Sequence, residues 1–406
     1  LLHHGFDDIV RQALPTKIDW LMKTLWAGFM LAAQLFSTFT FAQTTLRSQN
    51  KTGTEYKDSS APEKEHRITF AGMMITRFTQ SFTDKIDVNG RYHPVDDVYA
   101  TTSFAIRRVR VQARTQINAK TDAAVLVNLT DFTGNPAYKV LENAFIRYHF
   151  NDYLNLQVGQ FRPYFGREDL YPEELLQVME WSSQYYAFGV NGWQSFQTGA
   201  TVYGKVNIHH IPLSYYLGMF NGNGRNQPMD NDNGKLFPFR LELTPKPSMK
   251  VGLNGGVGKD GKENVWAFNA DIDHVEKLGR RWQLEVQGEY KTGLNNSLFD
   301  TSTEQNKAMN NYLLHGFYVL PDLRYTVNSR QVKSVELAMR YEQLTCDSKN
   351  NRSTKQTWMP VLCLQLENDY ALKLLAGLII DQYFNKLPDS KDRDGTRFVC
   401  QLVARF

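Results

Sequence analysis

The sequence predicts an all-β, membrane-spanning antiparallel β-barrel of about 16 strands, with a long third loop folded inward. Three observations carry that expectation. From Ile68 onward, short stretches alternate apolar and polar residues with period two, as strands with two differently solvated faces must. The links between them alternate short and long, the arrangement of a barrel with tight turns at one rim and long loops at the other. One link, 163–194, is far longer than its neighbours, and such a loop inside a compact fold is uncommon unless it works.

Composition agrees. A chain of 406 residues is too large for one ordinary soluble core, whereas a closed sheet wraps around space instead of filling it. A mean hydropathy of −0.45 argues against helical membrane spans, but not against a barrel whose inner face is polar at every second residue. The net charge of +4 is too small to imply a nucleic-acid partner. Cys346, Cys363 and Cys400 are odd in number and widely spaced, so no disulfide framework is indicated.

Before the barrel lies the one helical apolar segment of the sequence. Met22-Lys23 precedes LWAGFMLAAQLFSTF, and Thr40-Phe41-Ala42 offers a small-residue cleavage site, the pattern of a secretory signal. Gln34, Ser37, Thr38 and Thr40 leave it too short and too polar for a membrane anchor. Residues 1–21 read as a non-native upstream extension, 22–42 as the signal peptide, 43–67 as a flexible periplasmic lead-in, and 68–406 as the barrel.

The expected strands are 68–82, 102–118, 122–131, 139–150, 153–162, 195–206, 211–220, 237–245, 249–257, 264–275, 281–292, 312–324, 332–344, 355–368, 371–384 and 396–406. Two links, 258–263 and 325–331, blur the short–long rhythm. The long link follows a strand in which Leu154, Leu156 and Val158 oppose Asn155 and Gln157. Pro163 and Gly166 end that alternation, a single helical turn is expected over Pro172–Met179, and an aromatic-rich return follows.

Strand parity sorts the charges. With Val109, Val111, Ala113 and Ile117 toward lipid, Arg108, Arg110 and Arg114 face the lumen, because an arginine against lipid at the midplane costs about 2–4 kcal/mol. Arg147 and Arg240 join that basic side. Asp271, Asp273, Glu285, Glu289, Glu336, Glu342 and Glu367 lie on the inner face of strands ten to fourteen, across a ring of 16. The two walls are expected to set up a transverse field that favours polar or zwitterionic solutes. The competing reading makes the arginines counter-charges that only stabilise the barrel.

Other features are weaker. Asp230-Asn-Asp-Asn-Gly234 hints at calcium but has Leu241 where a closing Glu is needed, so it reads as a hydrophilic loop. His209-His210 falls in a predicted turn with no third ligand nearby. Tyr148, Trp193, Trp266, Trp282, Tyr290 and Trp358 are expected in interfacial aromatic girdles. No Ser/His/Asp grouping stands out, and neither catalysis, a metal nor a cofactor is expected.

Several stretches carry a family resemblance. Val158-Gly-Gln-Phe-Arg-Pro163 with Gly166-Arg-Glu resembles the strand-to-loop motif of the phosphate-selective porin O/P family, and Phe104-Ala-Ile-Arg-Arg-Val-Arg110 resembles its second strand. Leu217–Gly224, Arg240–Pro245, Ala270–Asp273 and Glu289-Tyr290 resemble further segments in the same order, and the terminal Phe406 resembles an outer-membrane insertion signal. The resemblance implies a trimeric porin of the bacterial outer membrane, of 16 strands, with an inward-folded third loop and pore arginines. Arg162 and Arg167 stand at the start of that loop, beside Glu168, Asp169, Glu173, Glu174 and Glu180. The expected function is passive, water-filled diffusion of small polar solutes with a general or weakly anion- or phosphate-preferring pore. A non-conducting receptor or adhesin barrel and a barrel lipid hydrolase are the alternatives. Partners would be outer-membrane lipid, lipopolysaccharide, small polar or anionic solutes and two further copies of the chain.

Overall fold

The computed structural model describes residues 68–95, 98–130, 140–227, 229–302, 308–327, 329–350, 352–386 and 391–406. The expected extension, signal and lead-in, and the link 132–138, lie outside the described residues.

The strands are β1 Ile68–Ser81, β2 Thr102–Asn118, β3 Thr121–Asn128, β4 Leu141–His149, β5 Asn155–Phe161, β6 Gln197–Ile208, β7 Ile211–Phe220 and β8 Leu236–Lys246. They continue as β9 Met249–Asp260, β10 Glu263–Lys277, β11 Trp282–Leu294, β12 Leu313–Thr326, β13 Ser334–Asp347, β14 Arg352–Gln365, β15 Leu372–Phe384 and β16 Gly395–Arg405. Each pairs antiparallel with its sequence neighbours, and β1 pairs with β16 to close the barrel, from Met73 opposite Arg405 to Ser81 opposite Arg397. Two bonds between Gly72 and Phe406 extend the seam: the Gly72 amide donates at 2.6 Å and the Phe406 amide at 3.0 Å. Closure leaves no open strand edge, the condition for a sheet in hydrocarbon.

All 16 expected strands are present, and the structure adjusts several ends. β14 starts at Arg352 and stops at Gln365, so Glu367 lies not on a strand but exposed in the turn after it. The two blurred links have simple causes. β9 and β10 run on until only residues 261 and 262 join them at the long-loop rim, whereas at the other rim β12 ends at Thr326 and β13 begins only at Ser334. His209 and His210 form the β6–β7 turn, both with positive φ (47° and 71°), as a two-residue hairpin that follows the sheet's twist requires.

The outer face carries exposed Phe70, Phe104, Ile106, Ile146, Leu217, Trp266, Tyr290, Leu337 and Trp358. Such an apolar belt is untenable in water and matches a bilayer. Tyr148, Trp282 and the other girdle candidates are on it, with the exception of Trp193. That indole is buried (1% exposed) on the return of the third loop, tilted against Phe165 (ring centroids 5.5 Å apart) and over Gly256.

The inner face is not polar throughout. On β12–β16 and β1 it presents Leu320, Ala338, Met359, Val361, Cys363, Leu375, Ile379, Val399, Val403, Met73 and Ile75, and the loop residues Val178 and Met179 pack against them. A lumen wall is apolar where something other than water covers it.

Candidate functional site

The segment between β5 and β6, residues 162–196, runs into the lumen. It begins with α1 (Arg167–Leu170), passes a 3-10 turn at Glu173–Leu175, and returns through α2 (Ser183–Val190), capped by the Ser182 hydroxyl accepting from the Tyr185 amide at 3.2 Å. The helical turn expected over Pro172–Met179 is thus shorter, and helix forms instead in the aromatic return. The sequence does not announce α2, because its buried face mixes Gln184 with Tyr185 and Phe188 while the apolar Tyr186 and Val190 are exposed.

Gly166 turns the chain into the lumen with φ 145°; a Cβ there would lie 2.2 Å from the Glu289 carboxylate, so only glycine fits. The Arg167 amide donates to Glu289 (3.1 Å) and its guanidinium to Asp273 (2.6 Å). Across the lumen, Arg340 donates to the Glu180 and Trp181 carbonyls at 2.6 and 3.1 Å, Lys373 to the Leu176 carbonyl at 2.7 Å, and the Ser183 hydroxyl to Glu342 at 2.6 Å. Strand β13 on one side and β15 on the other therefore hold the loop by its backbone.

Strands β1 and β2 hold it by its carboxylates. Glu180 pairs with Arg77 and with Arg107 (3.1 Å); Glu173 pairs with Arg108 (3.4 Å) and Arg110 (2.7 Å). Arg107 reaches inward because β2 is bulged there: Ile75 faces Arg108 while Thr76 faces Ile106, leaving Arg107 as the extra residue. A bulge re-aims side chains, and here it delivers consecutive arginines to two loop carboxylates. Burial would raise Glu173, but Arg110 and Arg108 outweigh it and hold that carboxyl down to about 2. Glu180 is likewise held low, burial being overcome by Arg77 and Arg107. On α1 itself, burial lifts Glu168 to about 7, helped by the charge of Glu289, and burial lifts Asp169 to about 7 against the pull of Lys291.

The acidic residues of β10–β13 are matched locally. Asp271 meets Arg240 at 2.6 Å, Asp273 meets Arg167, Glu289 meets Lys291 at 3.0 Å, Glu336 meets Arg324 at 2.7 Å and Glu342 meets Arg340 at 2.9 Å. Glu285 accepts from Gln287 at 2.6 Å. On the basic side, Arg240 is fully buried between Asp271 and Glu242, Arg110 also meets Glu142 at 2.6 Å, and Arg147 lies 3.4 Å from Asp122. The charges of each wall are thus spent largely on near neighbours rather than on each other across the pore.

A cavity of about 580 Å³ remains between the loop and the β1–β5 side of the wall, reaching the closing seam at Arg405 and Phe406. Arg110, Arg114, Arg147, Arg162 and Arg405 line it, with Asp169, Glu173 and Glu174 on the loop side. Arg162 donates to the Tyr171 carbonyl (3.2 Å) and lies 4.9 Å from both the Trp181 and Phe196 rings. Among the described residues Arg114 and Arg405 meet no carboxylate within ion-pair distance. Arg77 and Arg107 escaped the sequence reading, which places Arg405 by parity opposite Cys400 and Leu402 but leaves it out of the basic wall. For Arg107 no parity argument could succeed, because the bulge reverses parity beside it.

The profile of the family described as phosphate-selective porin O and P matches residues 82–318, more than half of the chain. The chain belongs to that family. As one of these porins it is an outer-membrane channel. Among solved structures it resembles an anion-selective porin from Comamonas acidovorans (9% identity, TM-score 0.54, covering 84% of this chain and 100% of that one). It also resembles the outer-membrane channel DcaP of Acinetobacter baumannii (12% identity, TM-score 0.54, 84% and 97% covered). A loop-deletion mutant of OmpT, an outer-membrane protein of Vibrio cholerae, matches at 10% identity and TM-score 0.52, with 84% and 99% covered. At these identities the likeness speaks for the shared fold. No curated protein matches this porin by sequence.

Proposed function

We propose that this porin passes small polar solutes by passive, water-filled diffusion, with a weak preference for anions, phosphate included, and no turnover chemistry. The observation that carries this is the placement of unmatched charge. Arg114 and Arg405 line the 580 Å³ cavity without a counter-ion among the described residues, whereas Arg108, Arg110, Arg147 and Arg240 are paired. Unpaired cations beside a water-filled path raise the local anion concentration, and the effect fades as salt screens it. The transverse field of the sequence reading is thereby reduced to an excess of positive charge on one side. In this reading the chain acts as a homotrimer among outer-membrane lipid and lipopolysaccharide, delivered there by the signal at 22–42.

The test is the reversal potential of the refolded barrel in a planar bilayer under a potassium chloride gradient. Conducting steps with a modest chloride preference, largely abolished in Arg114→Gln/Arg405→Gln, are expected, with phosphate lowering the chloride current. Absence of steps would remove the channel reading. Unchanged selectivity in the double variant would remove these two arginines from it.

A further inference from the structure

Four segments meet at the long-loop rim, away from the lumenal cavity. They are the end of α2 at Asn191, the β7–β8 loop at Asn223 and Asp232, the end of β9 at Asp260, and the β11–β12 loop at Asn296, which begins α3 (Asn296–Thr301). Together they line a small cavity of about 50 Å³. That is room for one ion or a few waters.

Two oxygens of the lining residues lack partners, and two carboxylates among them lack a cation. Asn296 is 3% exposed, and its amide nitrogen donates to Asp260 Oδ2 at 2.8 Å. Since a carboxylate can only accept, the amide orientation is fixed, and Asn296 Oδ1 is left buried with no donor. Asn223 repeats the pattern: its nitrogen donates to the Met229 carbonyl at 3.0 Å, and its buried Oδ1 has no partner. The Asp232 carboxylate receives the Gly234 and Gly261 amides, at 2.7 and 2.5 Å, and no cation. Lys235 is engaged with Asp230, and Lys259, at the cavity edge, alternates onto the outer face with the exposed Val257. The field is negative: Asp300 is held above its ordinary value, first by burial and then by the charges of Asp260 and Glu263.

Two carboxylates without a cationic partner and two orphaned amide oxygens around an ion-sized space are the ligand chemistry of a hard divalent cation. Calcium accepts such mixed carboxylate and neutral carbonyl shells, whereas magnesium prefers to keep its waters. We propose that this rim cavity binds one calcium ion, held by Asp232, Asp260, Asn223 and Asn296. The sequence pattern at Asp230–Gly234 does not show it, because only Asp232 of that stretch is a ligand and the rest come from other loops. The ion would tie the exit of the pore loop, at Asn191–Gly192, to the β7–β8 and β11–β12 loops.

The test is calorimetric titration of the refolded, chelator-stripped barrel with calcium chloride, free of lipopolysaccharide, with magnesium chloride as comparison. One calcium per chain is expected, weakened about tenfold or more in Asp232→Asn/Asp260→Asn and tightened in Asn296→Asp, since affinity follows ligand charge. Heat-modifiable gel mobility confirms that each variant is folded. No calcium uptake by the wild type overturns the site, as does an affinity unchanged in the folded double variant. Should that variant not fold, an Asn296→Asp affinity equal to wild type overturns it instead.

Discussion

The Arg110 guanidinium lies 2.7 Å from the Glu173 carboxylate, so the second strand of the wall grips the loop that narrows the pore. Arg110 is buried and also holds Glu142, which makes it a brace before it is an attractor of solutes. Replacing Arg110 by Gln leaves Glu173 only the longer contact to Arg108 at 3.4 Å and Glu142 only Arg225 at 3.5 Å, a loss on the order of 3 kcal/mol by analogy with broken buried pairs. Single-channel records of Arg110→Gln should show larger, noisier steps, with a smaller change in reversal potential than Arg114→Gln gives.

Gly166 supplies a second lever. An alanine would need a left-handed backbone strained by about 1–3 kcal/mol, with its methyl driven into the Glu289 carboxylate. Gly166→Ala is expected to unseat α1 while the barrel still closes. Trypsin should then cleave within residues 162–196 of the refolded variant and spare the wild type.

How much of this was legible in the sequence depends on what each residue answers to. The strands were, because lipid outside and water or loop inside impose period two: Trp282 and Tyr290 against Glu285 and Glu289 is a pattern with one solution. The site was legible only in its elements. Parity placed Arg108 and Arg110 inside but could not say that Glu173 would meet them, since that pairing joins residues some sixty positions apart through a loop with no period. Trp193 was misplaced in a girdle because an indole in an aromatic-rich stretch looks the same facing lipid or facing Phe165. The one missed signal was Met359, Val361, Cys363, Leu375 and Val399, apolar at inward positions, which mark where Val178 and Met179 dock.

That docking gives a third prediction. Met179 is buried against the β12–β16 wall, and truncation to Ala should cost about 2–5 kcal/mol for the lost contacts and the cavity left behind. The loop can detach without unfolding the barrel, so the loss should appear as faster hydrogen exchange in residues 172–190 and not as a lower barrel melting point.

The fourth concerns pH. Glu168 and Asp169 have folded-state values raised to about 7, so the stability linked to them is full below about pH 4 and is lost as pH rises through 7. Glu173 runs the other way: held at about 2, its contribution is present above its ordinary value and disappears only as pH falls toward 2. Protection of the loop amides, taken relative to the intrinsic exchange rate at each pH, should therefore be greater at pH 5 than at pH 8.5. Glu168→Gln/Asp169→Asn should flatten that difference.

The anchors of the pore loop include β1 and β2 from the start of the barrel domain and β13 and β15 from towards its end, and β1 meets β16 only at the closing seam. Narrowing of the pore therefore requires strands from both ends of the domain to be in place, at the loop-closure cost that contacts of such sequence separation carry. A chain arrested before its seam closes would be a wide, indiscriminate leak, and the sieve exists only once the ring is complete.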